Sequence, residues 1–211
     1  MLYCFPALGW INEIRRLVER VDASVFRLIN GATANPLLDR IMIFASVCGL
    51  GIVQSGVCLL LILAGLLADR LDLRRAGCAG GIAFIASGAI SQVAKHIFSR
   101  PRPIMVLHDV RIVDGALFSH SFPSGHTTTA FAAAAAFSVF LPRFRYVLIF
   151  LACLTGLSRV YLGVHYPFDV VYGAVLGWVI GLGSARLIKP AEKKGRAPEP
   201  TASGEAPDQS S

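Results

Sequence analysis

Three groups of residues in this chain have types and spacings that could do chemistry together. Lys95 and Arg102 enclose one short basic stretch. Phe122-Pro-Ser-Gly-His126 forms a turn and opens an apolar run at once. Ser158-Arg159 closes another apolar run, and His165 and Asp169 open the next, with Pro167 between them. A helix N-terminus presents free backbone N–H groups and the positive end of its dipole, so the turn before His126 predicts an anion site. Ser124 can add a hydroxyl donor there. Lys95, Arg102 and Arg159 can bind further oxygens, arginine through its planar fork, and such a set suits a tetrahedral phosphate. Proline favours the first helical position, which puts Asp169 in a first turn and His165 just before it. A carboxylate so placed can hold one imidazole nitrogen and leave the other free to attack. His126 is then available as a general acid or base.

The elements that must position these residues are apolar. The chain has 211 residues, 55% of them hydrophobic and only 16% charged, and its mean hydropathy is +0.61. Ile41–Ala68, Ala76–Ala94, Gly115–Pro142, Tyr146–Ser158 and Val170–Ala185 contain no Asp, Glu, Lys or Arg. A bilayer-crossing helix needs about 20 apolar residues. A soluble helical core would need charged outer faces that these runs lack. The expected fold is therefore all-α: a polytopic membrane helical bundle with about five transmembrane helices and an N-terminal amphipathic helix. Spans are placed near residues 44–68, 76–98, 126–142, 145–162 and 168–188. In residues 8–30, Leu8, Ile11, Ile14, Leu17, Val18, Val21, Val25, Leu28 and Ile29 recur at helical spacing among charged neighbours, which reads as a helix lying on the membrane surface. Asn35-Pro36 breaks it. The domain division is thus a surface helix over residues 1–35, a transmembrane domain over 36–188 and a disordered tail over 189–211, the tail being rich in Pro, Gly, Ser and Ala.

The net charge of +7 forms no nucleic-acid stripe, and no nucleic-acid partner is expected. The five cysteines include four in apolar runs and none at zinc-site spacing. They read as free thiols. The N-terminus lacks the basic start and apolar core of a signal peptide. Arg70, Arg74 and Arg75 join the first two spans, Arg143 and Arg145 the third and fourth, and Lys189, Lys193 and Lys194 follow the fifth. These share one side, the cytoplasmic side by the positive-inside rule, although Arg15, Arg16, Arg20 and Arg27 then fall on the other. Lys95, Arg102, His126, Arg159, His165 and Asp169 gather at the opposite face, since two crossings separate His126 from Arg159. A single arginine there could simply snorkel to headgroups. Three cations, two histidines and an aspartate at one membrane face point to function.

Lys95-x6-Arg102-Pro103, Pro123-Ser-Gly-His126 and Ser158-Arg159-x5-His165-x3-Asp169 resemble the tripartite signature of the type 2 phosphatidic acid phosphatase superfamily. The resemblance covers residues from about 40 to 188, with the motifs in order and no signature position departing from the pattern. It implies a metal-independent phosphatase without cofactor that works through a phosphohistidine. It further implies that His165 is the nucleophile, Asp169 orients it and His126 protonates the leaving oxygen, while Lys95, Arg102, Ser124, Gly125 and Arg159 bind the phosphate. Soluble vanadium-dependent haloperoxidases share these motifs, but continuous spans argue against that branch. The short layout with its surface helix is similar to bacterial undecaprenyl-diphosphate phosphatases, which implies a lipid phosphate substrate and an inner-membrane location with the site facing the periplasm. Phosphatidylglycerophosphate, phosphatidic acid and lipid A phosphates are alternatives, and so is a non-catalytic lipid-binding or transport protein on the same scaffold. A metal site of His108, His120, His126 and His165 has no helix-face spacing in its favour. The loop 103–122 is expected to line the entrance.

Overall fold

The computed structural model describes residues 6–115 and 118–189. Among these residues every regular element is a helix: α1 Pro6–Arg27, α2 Pro36–Cys48, α3 Gly51–Leu67, α4 Leu71–Phe98, the short α5 Pro103–Val106, α6 Gly125–Phe140, α7 Arg145–Tyr161 and α8 Pro167–Ile188. A π-helical turn, Leu28–Ala32, follows α1, and a 3-10 turn, Pro142–Phe144, precedes α7. Cys4 and most of the tail expected over 189–211 lie outside the described residues. Cys48, Cys58, Cys78 and Cys153 are free thiols.

Helix boundaries follow local chemistry. Asn35 caps α2 by accepting the Leu37 N–H at 2.8 Å, with Pro36 at the first helical position. Ser99 takes a left-handed conformation (φ 42°) and ends α4 ahead of Pro101. Pro167 starts α8, and Asp169 accepts the Tyr166 N–H at 3.0 Å, stapling the first turn.

Three helical segments, containing α4, α7 and α8, are each long and apolar enough to cross a membrane, and α2 with α3 makes a fourth as a pair bent by 57°. The expected first span over 44–68 is corrected here: it begins at Pro36 and breaks at Gly49-Leu50. The charges at Asp39 and Arg40 had cut the apolar run short, but Asp39 is satisfied by Arg111 (2.8 Å) and the Tyr161 hydroxyl (2.6 Å). The span expected over 126–142 corresponds to α6, which falls short of a full crossing, so among the described residues three or four spans stand where about five were expected. α6 has 16 residues, about 24 Å of helix, and it runs through the middle of the bundle between α4, α7 and α8. Ala130 and Ala132–Ala136 are buried along it.

Small residues make that packing possible. Gly173, Gly177 and Gly181 lie along the face of α8 against α6. A Cβ at Gly177 would fall 2.1 Å from the Thr128 carbonyl oxygen, and one at Gly181 would fall 2.2 Å from that of Ala132. The two backbones therefore touch, as small-xxx-small interfaces in membranes allow, and the N-terminal ends of α6 and α8 are held side by side.

The helix over 8–30 is present as α1. Trp10, Ile14, Leu17, Val18, Val21 and Val25 are exposed along it. It is not wholly superficial, because Asp22 and Phe26 are buried. In the π turn, buried Asn30 donates to the carbonyls of Arg111 and Tyr161, both at 2.8 Å, and accepts the Arg111 N–H at 2.9 Å. This ties α1 to the 103–122 loop and to the end of α7.

Candidate active site

The C-terminal ends of α4 and α7 and the N-terminal ends of α6 and α8 meet at one end of the bundle. Lys95 comes from the last turn of α4, Arg102 from the N-cap of α5, and Ser124, Gly125 and His126 from the start of α6. Arg159 comes from the last turn of α7, and Asp169 from the first turn of α8, with His165 in the link between them. The Ser124 N–H donates to the Asp169 carbonyl at 3.1 Å, which locks the two helix starts together. Lys95, Arg102, Arg159, His126 and His165 lie close enough for their charges to interact.

His165 and Asp169 are buried. His165 Nδ1 faces Asp169 Oδ2 at 3.5 Å and the Ser121 hydroxyl at 3.4 Å. Ser121 Oγ in turn donates to Asp169 Oδ2. On the other edge of the ring, Nε2 faces Arg102 Nη1 at 3.4 Å. A guanidinium can only donate, so Nε2 presents its lone pair and Nδ1 carries the proton toward the carboxylate. Burial, opposed in part by Asp169, lowers the His165 pKa to about 4, so the ring is neutral at neutral pH.

The cations are held differently from one another. Arg102 is oriented by backbone: Nε donates to Ser119 O at 3.0 Å and Nη1 to Val164 O at 2.9 Å. Arg159 Nη1 donates to the Ser46 hydroxyl on α2, while its buried Nε has no hydrogen-bond partner among the described residues. Neither arginine, nor Lys95, has a carboxylate within ion-pair distance among those residues. The Thr128 N–H donates to Ser124 O at 2.9 Å, so the amides of Gly125, His126 and Thr127 precede the first intrahelical bond of α6. Ser124 is buried, and its hydroxyl accepts from Thr127 Oγ1 at 2.9 Å. Cations with no carboxylate at ion-pair distance among the described residues, amides at the start of α6 and an unpartnered buried Nε make an arrangement suited to a multiply charged oxyanion.

His126 is held sterically from the α2–α3 bend. A Cβ on Gly49 would lie 2.6 Å from Thr155 Cγ2 and 3.1 Å from His126 Cδ2. Ser46, Gly49, Ser119 and Ser121 were not among the residues picked from sequence. Only Ser121 had a signal there, two residues before Pro123. His108 is exposed and His120 stacks edge-on against His96 at 6.3 Å. Among the described residues no three His, Cys, Asp or Glu side chains come together as a metal-ligand set. A groove of about 1170 Å³ beside α1, lined by Arg16, Arg20, Arg100, Phe122, Tyr166 and Phe168 among others, includes none of the site residues named from the motifs.

The model of the PAP2 superfamily matches residues 76–193. The chain is 34% identical over 163 residues to the undecaprenyl-diphosphatase BcrC of Bacillus subtilis, covering 76% of this chain and 81% of that protein. It is 40% identical over 98 residues to the lipid A 1-phosphatase of Rhizobium johnstonii, covering 44% of this chain. That match spans 40% of the relative's length. The crystal structure of a transmembrane PAP2-type phosphatidylglycerolphosphate phosphatase from Bacillus subtilis superposes with a TM-score of 0.69 at 25% identity, over 81% of this chain and 86% of that one.

Proposed function

Because the chain belongs to the PAP2 superfamily, we propose that it is an integral membrane phosphatase that hydrolyses a lipid phosphate or diphosphate, with undecaprenyl diphosphate as its substrate, through a phosphohistidine. The observation that carries this reading is the two-sidedness of His165. Its Nδ1 edge is occupied by Asp169 and Ser121, while its Nε2 edge faces Arg102, a cation with no carboxylate at ion-pair distance among the described residues. The match to the undecaprenyl-diphosphatase over most of both chains supports the substrate. A second reading, removal of a lipid A phosphate, is favoured by the higher identity over the shorter match.

The reaction divides into two displacements. His165 Nε2 attacks the terminal phosphorus, the bond to the bridging oxygen breaks, and His126 gives that oxygen its proton. Lipid monophosphate leaves and the phosphoryl group rests on Nε2. His126 then takes a proton from water, whose oxygen attacks the phosphorus and breaks the P–N bond, releasing inorganic phosphate. Asp169 stabilises the charge on Nδ1–H during the first step. Lys95, Arg102, Arg159, the Ser124 hydroxyl and the Gly125 amide hold the equatorial oxygens, where most of the stabilisation arises. No step uses a metal. The basic residues at the far ends of the spans, Arg70, Arg74, Arg75, Arg143 and Arg145, support an inner-membrane orientation with the site toward the periplasm.

The test is phosphate release by the purified protein in detergent across undecaprenyl diphosphate, phosphatidylglycerophosphate, phosphatidic acid and a lipid A phosphate, with and without chelator and over a vanadate series. Turnover of the diphosphate that survives chelator and is inhibited competitively by vanadate, a trigonal-bipyramidal analogue, is expected. Preference for lipid A phosphate would establish the second reading. Loss of turnover in chelator restored by magnesium would remove the metal-free mechanism.

A further inference from the structure

Asp22 lies on α1, outside every motif. Most of α1 is exposed, yet beside buried Phe26 the Asp22 side chain is fully buried too. One carboxylate oxygen accepts from Arg100 Nη2 at 2.6 Å. The other accepts the Phe168 N–H at 2.9 Å, in the first turn of α8 and one residue before Asp169. The second terminal nitrogen of Arg100, Nη1, donates to Asp169 Oδ1 at 2.7 Å. A single guanidinium thus joins two buried carboxylates, with its carbon 4.2 Å from the centre of the Tyr166 ring. The two oxygens of Asp169 are used unequally. Oδ2 receives Ser121 and the Tyr166 amide and faces His165. Oδ1 receives Arg100. The rotation of the Asp169 carboxylate, and with it the acceptor offered to His165 Nδ1, is therefore fixed from both sides, by Ser121 and the Tyr166 amide on Oδ2 and by the guanidinium on the far oxygen.

Burying a carboxylate costs several kcal/mol unless it is paired and hydrogen-bonded. An apolar residue at position 22 would seat α1 beside Phe26 at no such cost, so the packing of α1 does not account for Asp22. Its two bonds, to Arg100 and to the first turn of α8, do.

We propose that Asp22 and Arg100 are positioning residues of the His165–Asp169 pair, so that α1 is a working part of the active site through one buried carboxylate. This rests on the phosphohistidine reading of that site. Arg100 touches Asp169 and not the phosphate-binding cations, so its loss is expected to slow turnover and leave anion binding intact.

The experiment measures kcat, KM and the vanadate inhibition constant for the full chain in detergent, with His165→Ala in the same series. Asp22→Asn and Arg100→Gln are each expected to lower kcat about 10- to 100-fold, in the range of groups that orient a primary ligand or base, with the vanadate constant held within about threefold. Asp22→Glu, which keeps the charge, is expected to recover part of the loss. The double variant Asp22→Asn/Arg100→Gln is expected to be no slower than Arg100→Gln alone, since both break one chain. If Asp22→Asn does not accumulate in membranes, Arg100→Lys carries the test, with lowered kcat and unchanged vanadate binding as the supporting result. Wild-type kcat in these variants, or vanadate binding lost in proportion to kcat, would overturn the proposal. Turnover retained by His165→Ala would instead remove the phosphohistidine reading beneath it, so the two failures are distinct.

Discussion

Two sets of cations sit at the same end of the bundle and are treated in opposite ways. Arg100 and Arg111 are paired: Arg100 bridges Asp22 and Asp169, and Arg111 holds Asp39 at 2.8 Å. Arg102 and Arg159 contact hydroxyls, carbonyls and an imidazole, and neither they nor Lys95 have a carboxylate at ion-pair distance among the described residues. A buried charge left without its counter-ion is a standing cost. The first set discharges that cost inside the fold and builds structure. The second leaves it to be met from outside the fold, which under the proposed function is the task of the substrate phosphate. Arg100 and Arg111 are also the more exposed, at 24% and 29% of the side chain, against 3% and 5% of the whole residue for Arg102 and Arg159, so the deeper arginines are the ones that no internal carboxylate reaches.

The sharpest way to break this contrast is to move a carboxylate across it. Ser46→Asp would place an anion on Arg159, converting a cation that awaits phosphate into a paired one. Phosphate release is expected to fall at least ~10³-fold in kcat/KM, with vanadate inhibition lost as well. Retained vanadate binding would show that Arg159 does not hold the anion.

A smaller effect concerns the proton on His165. Burial lowers its pKa from the ordinary histidine range to about 4. In the proposed mechanism the neutral ring attacks, so the limb of the kcat/KM profile owed to His165 is expected near pH 4 rather than 6.5. The unfolded chain binds this proton more readily than the folded one. Stability from this group is therefore complete above pH 6.5 and is lost as pH falls toward 4. Rate and unfolding-temperature profiles from pH 4 to 8 check both statements, and a His165-dependent limb at 6.5 would contradict them.

Asp39→Asn should act on the other side of the comparison. It removes the partner of Arg111 and weakens the acceptor for Tyr161, so the unfolding temperature is expected to drop while kcat stays within about twofold. A large loss of kcat at unchanged stability would place Arg111 with the functional cations. The smallest effect belongs to Arg15, whose bond to Glu19 lies on the surface with side chains 74% and 53% exposed. Arg15→Ala is expected to leave stability within about 0.5 kcal/mol and turnover unchanged, measured on the same preparations.

The chain's own pattern was enough to determine much of this. The charge-free runs called for membrane helices, Asn35-Pro36 marked the break after the amphipathic helix, and Pro167 put Asp169 in the first turn of α8 with His165 ahead of it. These are local matters of hydropathy, capping and proline geometry, decided within a turn or two of chain, and the order of helix crossings then brought the motif residues to one end. Other features had no local trace. Asp22 follows the polar positions of an amphipathic helix and reads as a surface charge; Arg100, 78 residues away, buries it. Asp39 lies just ahead of the charge-free run, and Arg111 and Tyr161, 72 and 122 residues distant, satisfy it within α2. Gly49 reads as a flexible spot, whereas it leaves the space that His126 and Thr155 occupy. Residue type and spacing determine which side chains can carry a charge or attack a phosphorus. Which charges find an internal partner, and which are left for a substrate, depends on approaches between residues far apart in the chain, and only the packed bundle decides them.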